Sequence, residues 1–214
     1  TNIPMTMPEV IAADTGMDAL THSIEAYVAG LRTDITDALA MKAIDMIVHN
    51  VEKAVKGDKE GRGKMHVAQC LAGMSFSNAL LGIVHSLAHK TGAEFHITHG
   101  RCNAILLPFV IQYNSKVCAD RFADIARMLK LSGNTNEELT ASLVKKVKEL
   151  NASLGIKQTY KENGVTEEHF KAKCDDISKN AVADPCTGSN PRQTDFENMK
   201  KVLEAAYYGY DINF

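Results

Sequence analysis

The sequence predicts an all-α fold, a multi-helix bundle forming one domain over residues 1–214. Three observations carry that expectation. Apolar residues recur at helical spacing along most of the chain. Alternating strand patterns are nearly absent. No internal repeat or low-complexity segment divides the sequence. With 214 residues, 45% of them hydrophobic, the chain can bury one sizeable core or at most two small ones, and one helical domain is the economical reading.

Pro8, as a first-turn proline, starts a short helix through Ala13. Asp14 or Thr15 then caps a second helix over Gly16 to Ala29. A third runs from Asp34 to Lys56, with Ala38, Met41, Ile44, Ile47, Val48 and Val51 on one side. Gly57 to Gly63 is a polar break. The Ala- and Met-rich segment Lys64 to Leu81 reads as a closely packed central helix, interrupted by Gly82. A short helix over His85 to Gly92 and a connector at Glu94 to Thr98 follow. Asn103 to Asn114 is apolar enough to be a buried helix despite Pro108. Three amphipathic helices cover 116–130, 136–153 and 166–182, and the turn-rich stretch Asp184 to Gln193 leads to a last one at Thr194 to Tyr208.

Composition excludes several classes of function. The net charge is −2 with Lys and Arg dispersed, which leaves no electrostatic footprint for nucleic acid. The densest basic stretch, Lys145-Lys146-Val147-Lys148, reads as the solvated face of an amphipathic helix. No apolar run approaches the roughly 18 residues of a membrane span, and no signal peptide is visible. The chain opens at Thr1 without an initiator Met, so it is expected to be processed or part of something longer. Five cysteines, an odd number without a CxxC, predict free, mostly buried thiols and a reducing, cytoplasmic compartment.

The residues that point to chemistry are Asp18 with His22, and His85 with His89, followed by His99. Each pair is four residues apart, a spacing that on a helix turns by about 40° and rises about 6 Å, so both side chains share a face. Read alone, Asp18 could serve the helix N-terminus and His22 could be an ordinary half-buried histidine. The second pair is harder to explain structurally. It sits among Leu80, Leu81, Ile83, Val84, Leu87 and Ala88, where buried imidazoles need partners. A metal ion held by both segments supplies one. His96 competes with His99 on spacing, whereas His49, His66 and His169 lie in charged surroundings expected at the surface. One carboxylate with imidazoles suits Fe²⁺ or Zn²⁺ better than ions preferring all-oxygen or sulfur ligands. With an open position, such an ion acts as a Lewis acid on a substrate oxygen. No glycine-rich phosphate cradle is present, so a nucleotide cofactor would need a fold outside this chain.

Three long segments resemble one family. Thr15-Gly16-Met17-Asp18-Ala19-Leu20-Thr21-His22-Ser23-Ile24-Glu25-Ala26-Tyr27 is similar to the first metal motif of the iron-containing alcohol dehydrogenases. The run from Gly73 to Ala79, then His85 to Gly92, then His99-Gly100 with Asn103 to Pro108, resembles the second. The resemblance extends through Cys186-Thr187-Gly188-Ser189-Asn190-Pro191-Arg192 to Tyr207-Tyr208-Gly209 and covers essentially the whole chain. Lys90, and Phe95 to Gly100, resemble the alcohol dehydrogenase part of the bifunctional aldehyde–alcohol dehydrogenases, although Thr98 stands where that branch has proline.

The resemblance implies a helical bundle like the C-terminal domain of the dehydroquinate synthase-like and iron-containing alcohol dehydrogenases. It implies Asp18, His22, His85 and His99 as metal ligands, with His96 outside the set. It implies His89 as a proton-relaying catalytic histidine beside the nicotinamide, and Phe76 with His89 as cofactor-binding residues. The implied metal is Fe²⁺ or Zn²⁺. NAD(H) is expected to be held mainly by an N-terminal nucleotide-binding domain outside this sequence, which makes that domain an expected partner. The expected substrates are a small primary alcohol and its aldehyde, acetaldehyde and ethanol first. A homo-oligomer is expected, and this chain alone is expected to be inactive. A glycerol or other polyol oxidoreductase of the same superfamily is the alternative, disfavoured by the ligand set and the Cys186–Arg192 stretch. A metal-stabilised helical assembly module is the alternative of a different class. Loss of oligomerisation without loss of activity in His22→Ala would identify it.

Overall fold

A single uninterrupted helix, α1 (Glu9–Val28), replaces the two expected over this stretch. Pro8 stands just outside it as the N-cap, with extended ψ, rather than within the first turn. Neither Asp14 nor Thr15 caps anything. Asp14 is buried and accepts from Thr98 Oγ1 at 2.6 Å and from Arg101 Nε and Nη2 at 3.0 and 2.9 Å. Thr15 donates to the Ile11 carbonyl. With both polar groups engaged, nothing competes with the backbone ladder, and the helix continues. The structure, a computed structural model, describes residues 3–214, and Thr1 and Asn2 lie outside the described residues.

Helix α2 (Asp34–Val55) begins with a capping box between Thr33 and Thr36. It buries Ala40, Ala43, Ile44, Ile47 and Val51, while Ala38, expected on that side, is exposed. Gly16 lets α1 approach it: a Cβ there would lie 2.7 Å from Val51 Cγ2. Helix α3 (Lys59–Ala79) starts five residues before the expected boundary because Asp58 caps it, accepting from the Gly61 N–H at 2.7 Å. It is also not the central helix expected. Small residues Ala68, Ala72, Ser75 and Ala79 face α1 and α2, whereas Val67 and Met74 are exposed.

Leu80, at φ 65°, turns the chain into α4 (Ile83–Phe95), which is longer than expected at both ends and stops at His96 in the left-handed region. Three residues later α5 (His99–Met128) begins. It joins the two helices expected at 103–114 and 116–130 across a kink at Cys118, and it supplies the centre of the fold. Residues Ala104 to Ile111 are all buried. Helix α6 (Asn136–Ser153) packs along α5, and Val147 is buried while Lys145 is exposed, as its basic stretch predicted. Helix α7 (Glu167–Val182) pairs with α8 (Phe196–Tyr208) and covers α4. A 3-10 turn at Pro185–Ser189 lies against α4.

One main core runs through all eight α-helices of the described residues, with Tyr113, Tyr160 and Tyr207 among its largest members. The thiols of Cys102, Cys118 and Cys174 are buried and free, Cys186 is half-buried, and Cys70 is the exposed exception. Burial pushes the Cys102 thiol up to about 11 and Cys118 up to about 12, so both act as small apolar groups. Among the described residues, no single helix is long and apolar enough to cross a membrane.

Candidate metal centre

Three helices that meet at one end of α4 carry the candidate ligands. Asp18 and His22 lie one turn apart on α1, both beyond its second turn, so a helix-terminus role for Asp18 is ruled out by position. His85 and His89 lie one turn apart on α4, and His99 is the first residue of α5. Donor atoms of Asp18, His22 and His85 lie within 4.8 Å of one another. The Asp18 Oδ1 atom is 3.4 Å from His99 Nε2 and 3.8 Å from His85 Nε2, and Asp18 Oδ2 is 3.8 Å from His22 Nδ1. The His22 and His85 rings stack at 4.5 Å between centroids. Phe76, from α3, stacks flat on the other face of His22 at 4.4 Å and 16°.

The remaining histidines separate cleanly. His96 is exposed at the C-cap of α4. His49 and His66 are exposed. His169 lies at the surface in an ion pair with Glu94 at 2.8 Å, edge-on to Phe95. His89 points its Nδ1 away from the cluster, 3.1 Å from Asp184 Oδ2, while its ring stacks against His99 at 5.5 Å.

The first turn of α5 is set against α1 by Gly100 and by the buried Asp14. A Cβ on Gly100 would lie 2.3 Å from the Asp14 carbonyl oxygen, a clash with rigid backbone. Only glycine therefore lets His99 reach Asp18. The Asp14 bonds to Thr98 and Arg101 hold the residues on either side of that contact.

Asn103, one turn after His99, tests whether the cluster fits a cation. Its Nδ2 donates to Asp18 Oδ1 at 2.6 Å and also lies 3.1 Å from His85 Nε2 and 3.0 Å from His99 Nε2. An amide nitrogen carries two hydrogens, so three acceptors crowd one donor. Its Oδ1 is buried and has no hydrogen-bond partner among the described residues. Burial lowers His22 to about 4 and also lowers His99, despite the Asp18 charge that pulls the other way. Those imidazoles are thus neutral at pH 7, and their lone pairs are available. A convergent set of one carboxylate and three imidazoles short of positive charge fits a divalent ion such as Fe²⁺ or Zn²⁺.

The sequence analysis missed several partners around this set. Glu25, on α1, is 2% exposed and lies behind His85. Its only sequence signal is a carboxylate between Ile24 and Ala26 on an apolar helix, three residues past His22. Asp184, in the loop before the 3-10 turn, accepts from Lys90 Nζ at 2.9 Å and from the Cys186 N–H at 3.1 Å as well as facing His89. Burial works against its charge, yet those donors hold it down at about 2. The neighbouring Cys186 thiol is pushed up to about 12 by burial and by Asp184, so the His89–Asp184–Cys186 group offers no thiolate.

Comparison with known proteins identifies related chains. A family model described as Fe-containing alcohol dehydrogenase family, C-terminal, matches residues 12–207. An NADPH-dependent butanol dehydrogenase from Clostridium saccharobutylicum is 59% identical over 98% of this chain, which covers 54% of that protein. An aldehyde-alcohol dehydrogenase from Streptococcus pneumoniae is 44% identical over 96% of this chain, which covers 25% of it. Among solved structures, the iron-containing alcohol dehydrogenase from Thermococcus thioreducens superimposes with a TM-score of 0.89 at 34% identity. That match covers 98% of this chain and 53% of the other. The chain thus spans about half the length of the first relative and a quarter of the second.

Proposed function

Because the chain belongs to the Fe-containing alcohol dehydrogenase family, as its C-terminal part, we propose that it is the metal-binding half of an enzyme interconverting a small primary alcohol and its aldehyde. Ethanol and acetaldehyde are the substrates expected from the sequence, and butanol is the alcohol named for the Clostridium relative. The observation that carries this reading is the convergence of Asp18, His22 and His85 within 4.8 Å, with His99 3.4 Å from Asp18.

Asp18, His22, His85 and His99 would hold the ion, Fe²⁺ in keeping with the family or Zn²⁺ by ligand chemistry. When bound, the metal supplies Lewis acidity toward the substrate oxygen, and a nicotinamide cofactor gives or takes the hydride. His89 moves the proton. Its Nδ1–H is directed to Asp184, which leaves Nε2 as the nitrogen that takes up or returns the alcohol proton. With 39% of its side chain exposed, His89 can pass that proton on to solvent. Phe76 walls the site beside His22 and keeps water from that ring face. The grip on the cofactor phosphates belongs to a nucleotide-binding domain in the rest of a longer protein, so the 214 residues alone turn over little or no alcohol.

Metal content per chain after anaerobic purification tests the reading, for the wild type and for His85→Ala. About one iron or zinc per wild-type chain, absent from the variant, is the expected result. No metal in either protein would overturn the assignment. Substantial NAD(P)-dependent activity from the isolated chain would overturn the division of labour between the two halves.

A further inference from the structure

Glu25 joins two elements that the sequence leaves far apart. It lies near the end of α1, and its carboxyl group reaches the first turn of α4. Its Oε1 accepts from the Val84 N–H at 2.8 Å, and its Oε2 lies 2.5 Å from His85 Nδ1. Helix α4 has glycine at its N-cap and so no capping side chain of its own. Gly82 also makes room for this arrangement, since a Cβ there would lie 2.8 Å from Glu25 Oε1.

The two contacts have different consequences. The bond to Val84 caps a helix terminus and places a negative group at the positive end of the α4 dipole. The contact with His85 determines which imidazole nitrogen carries the proton. A carboxylate oxygen only accepts, so a 2.5 Å contact assigns the hydrogen to Nδ1. The His85 lone pair then lies on Nε2, the nitrogen that faces Asp18 and Asn103. His85 is 1% exposed and Glu25 2%, so water does not compete for either group. No other side chain is bonded to Nδ1 among the described residues.

Resting on the metal assignment made above, we infer that Glu25 is a positioning residue that holds His85 as the Nδ1–H tautomer and aims its Nε2 at the metal. A hydrogen-bonded carboxylate behind a histidine ligand fixes ring orientation and raises the basicity of the nitrogen that binds.

Glu25→Gln separates this role from capping. The glutamine carbonyl oxygen can still accept from Val84, so the cap is retained. Its NH₂ group faces Nδ1 and demands an acceptor there, which moves the imidazole hydrogen to Nε2 and blocks the donor. Zn²⁺ affinity, measured by competition with a chromophoric chelator, should fall by about 10- to 100-fold in the variant. Thermal unfolding of the metal-free proteins should differ little. Equal Zn²⁺ affinity in variant and wild type would overturn the inference while leaving the metal site standing. A wild type that binds neither Zn²⁺ nor Fe²⁺ would overturn both. If Glu25→Gln fails to fold, imidazole ¹⁵N spectra of the metal-free wild type decide. An Nδ1–H signature for His85 is expected, and an Nε2–H signature would overturn the assignment.

Discussion

Asn151, on α6, donates its side-chain amide to the carbonyl oxygen of Ala104, on α5, at 2.7 Å. Ala104 is four residues before Pro108, so its carbonyl is the one that proline deprives of a helical N–H. A neighbouring helix therefore supplies the missing donor, which explains how α5 carries a proline through the middle of the core.

Asn151→Leu should cost stability by leaving that buried carbonyl unpaired, at about 1 to 3 kcal/mol in general. The figure expected here is near the lower end, about 1 kcal/mol, because Asn151 Oδ1 is itself buried without a hydrogen-bond partner among the described residues and its removal is favourable. In a Pro108→Ala background, the restored N–H can serve Ala104, so the cost of Asn151→Leu should shrink. Denaturant unfolding of the four proteins measures this coupling. Additive effects would show that the amide does not answer the proline.

Gly100→Ala should be severe for its size. The added methyl would meet the Asp14 carbonyl at 2.3 Å, so the start of α5 must move away from α1 and carry His99 from Asp18. Overpacking of this kind costs about 1–3 kcal/mol. Zinc binding should weaken together with the fall in melting temperature. A variant as stable as wild type with unchanged zinc affinity would contradict the role given to this contact.

The metal-free chain should lose stability as pH falls from about 6.5 toward 4. Burial lowers His22 to about 4 in the folded protein, whereas the unfolded chain binds that proton near 6.5. Protons therefore favour the unfolded state throughout this window, with a slope of up to about 1.4 kcal/mol per pH unit from one such group. Urea unfolding at several pH values measures it. His22→Gln should flatten the slope, and an unchanged slope would assign the pH dependence to other groups.

Asp184→Asn should remove an acid-sensitive contribution that operates lower on the pH scale. The wild-type carboxyl is held at about 2, so its stabilisation is complete above the ordinary carboxylate value near 3.8 and disappears as pH falls through 2. The difference in stability between variant and wild type should thus be constant near neutrality and vanish by about pH 2. In the longer enzyme, the same variant should shift the pH profile of kcat more than KM, because Asp184 orients His89 at 3.1 Å. An unchanged profile would remove Asp184 from the proton path.

The all-α fold, most helices and the two i,i+4 candidate pairs were legible in the sequence for local reasons, whereas His99 rather than His96 came only from the family resemblance. Helical periodicity and capping residues act within a few positions of one another, as Thr33 with Thr36 and Thr135 with Glu138 illustrate. The i,i+4 pairs Asp18/His22 and His85/His89 are likewise set by helix geometry alone. Errors came where a distant partner overrode a local preference. Asp14 reads as a cap, but Arg101 and Thr98 engage its carboxylate, and α1 runs straight through.

The sequence by itself determined the helical periodicity, the breaks between most helices and the residue types able to hold a metal, because these follow from short-range sterics and side-chain chemistry. Only the tertiary structure decided which groups meet. It turned His85 and His89 of one helix face to different carboxylates, Glu25 and Asp184, 60 and 95 positions away along the chain. It set His99 against Asp18 through a glycine contact and left His96 in solvent three residues earlier. The physical reason is that a buried polar side chain takes whichever partner packing brings within hydrogen-bond reach, and that reach is a distance in space with no counterpart in sequence separation.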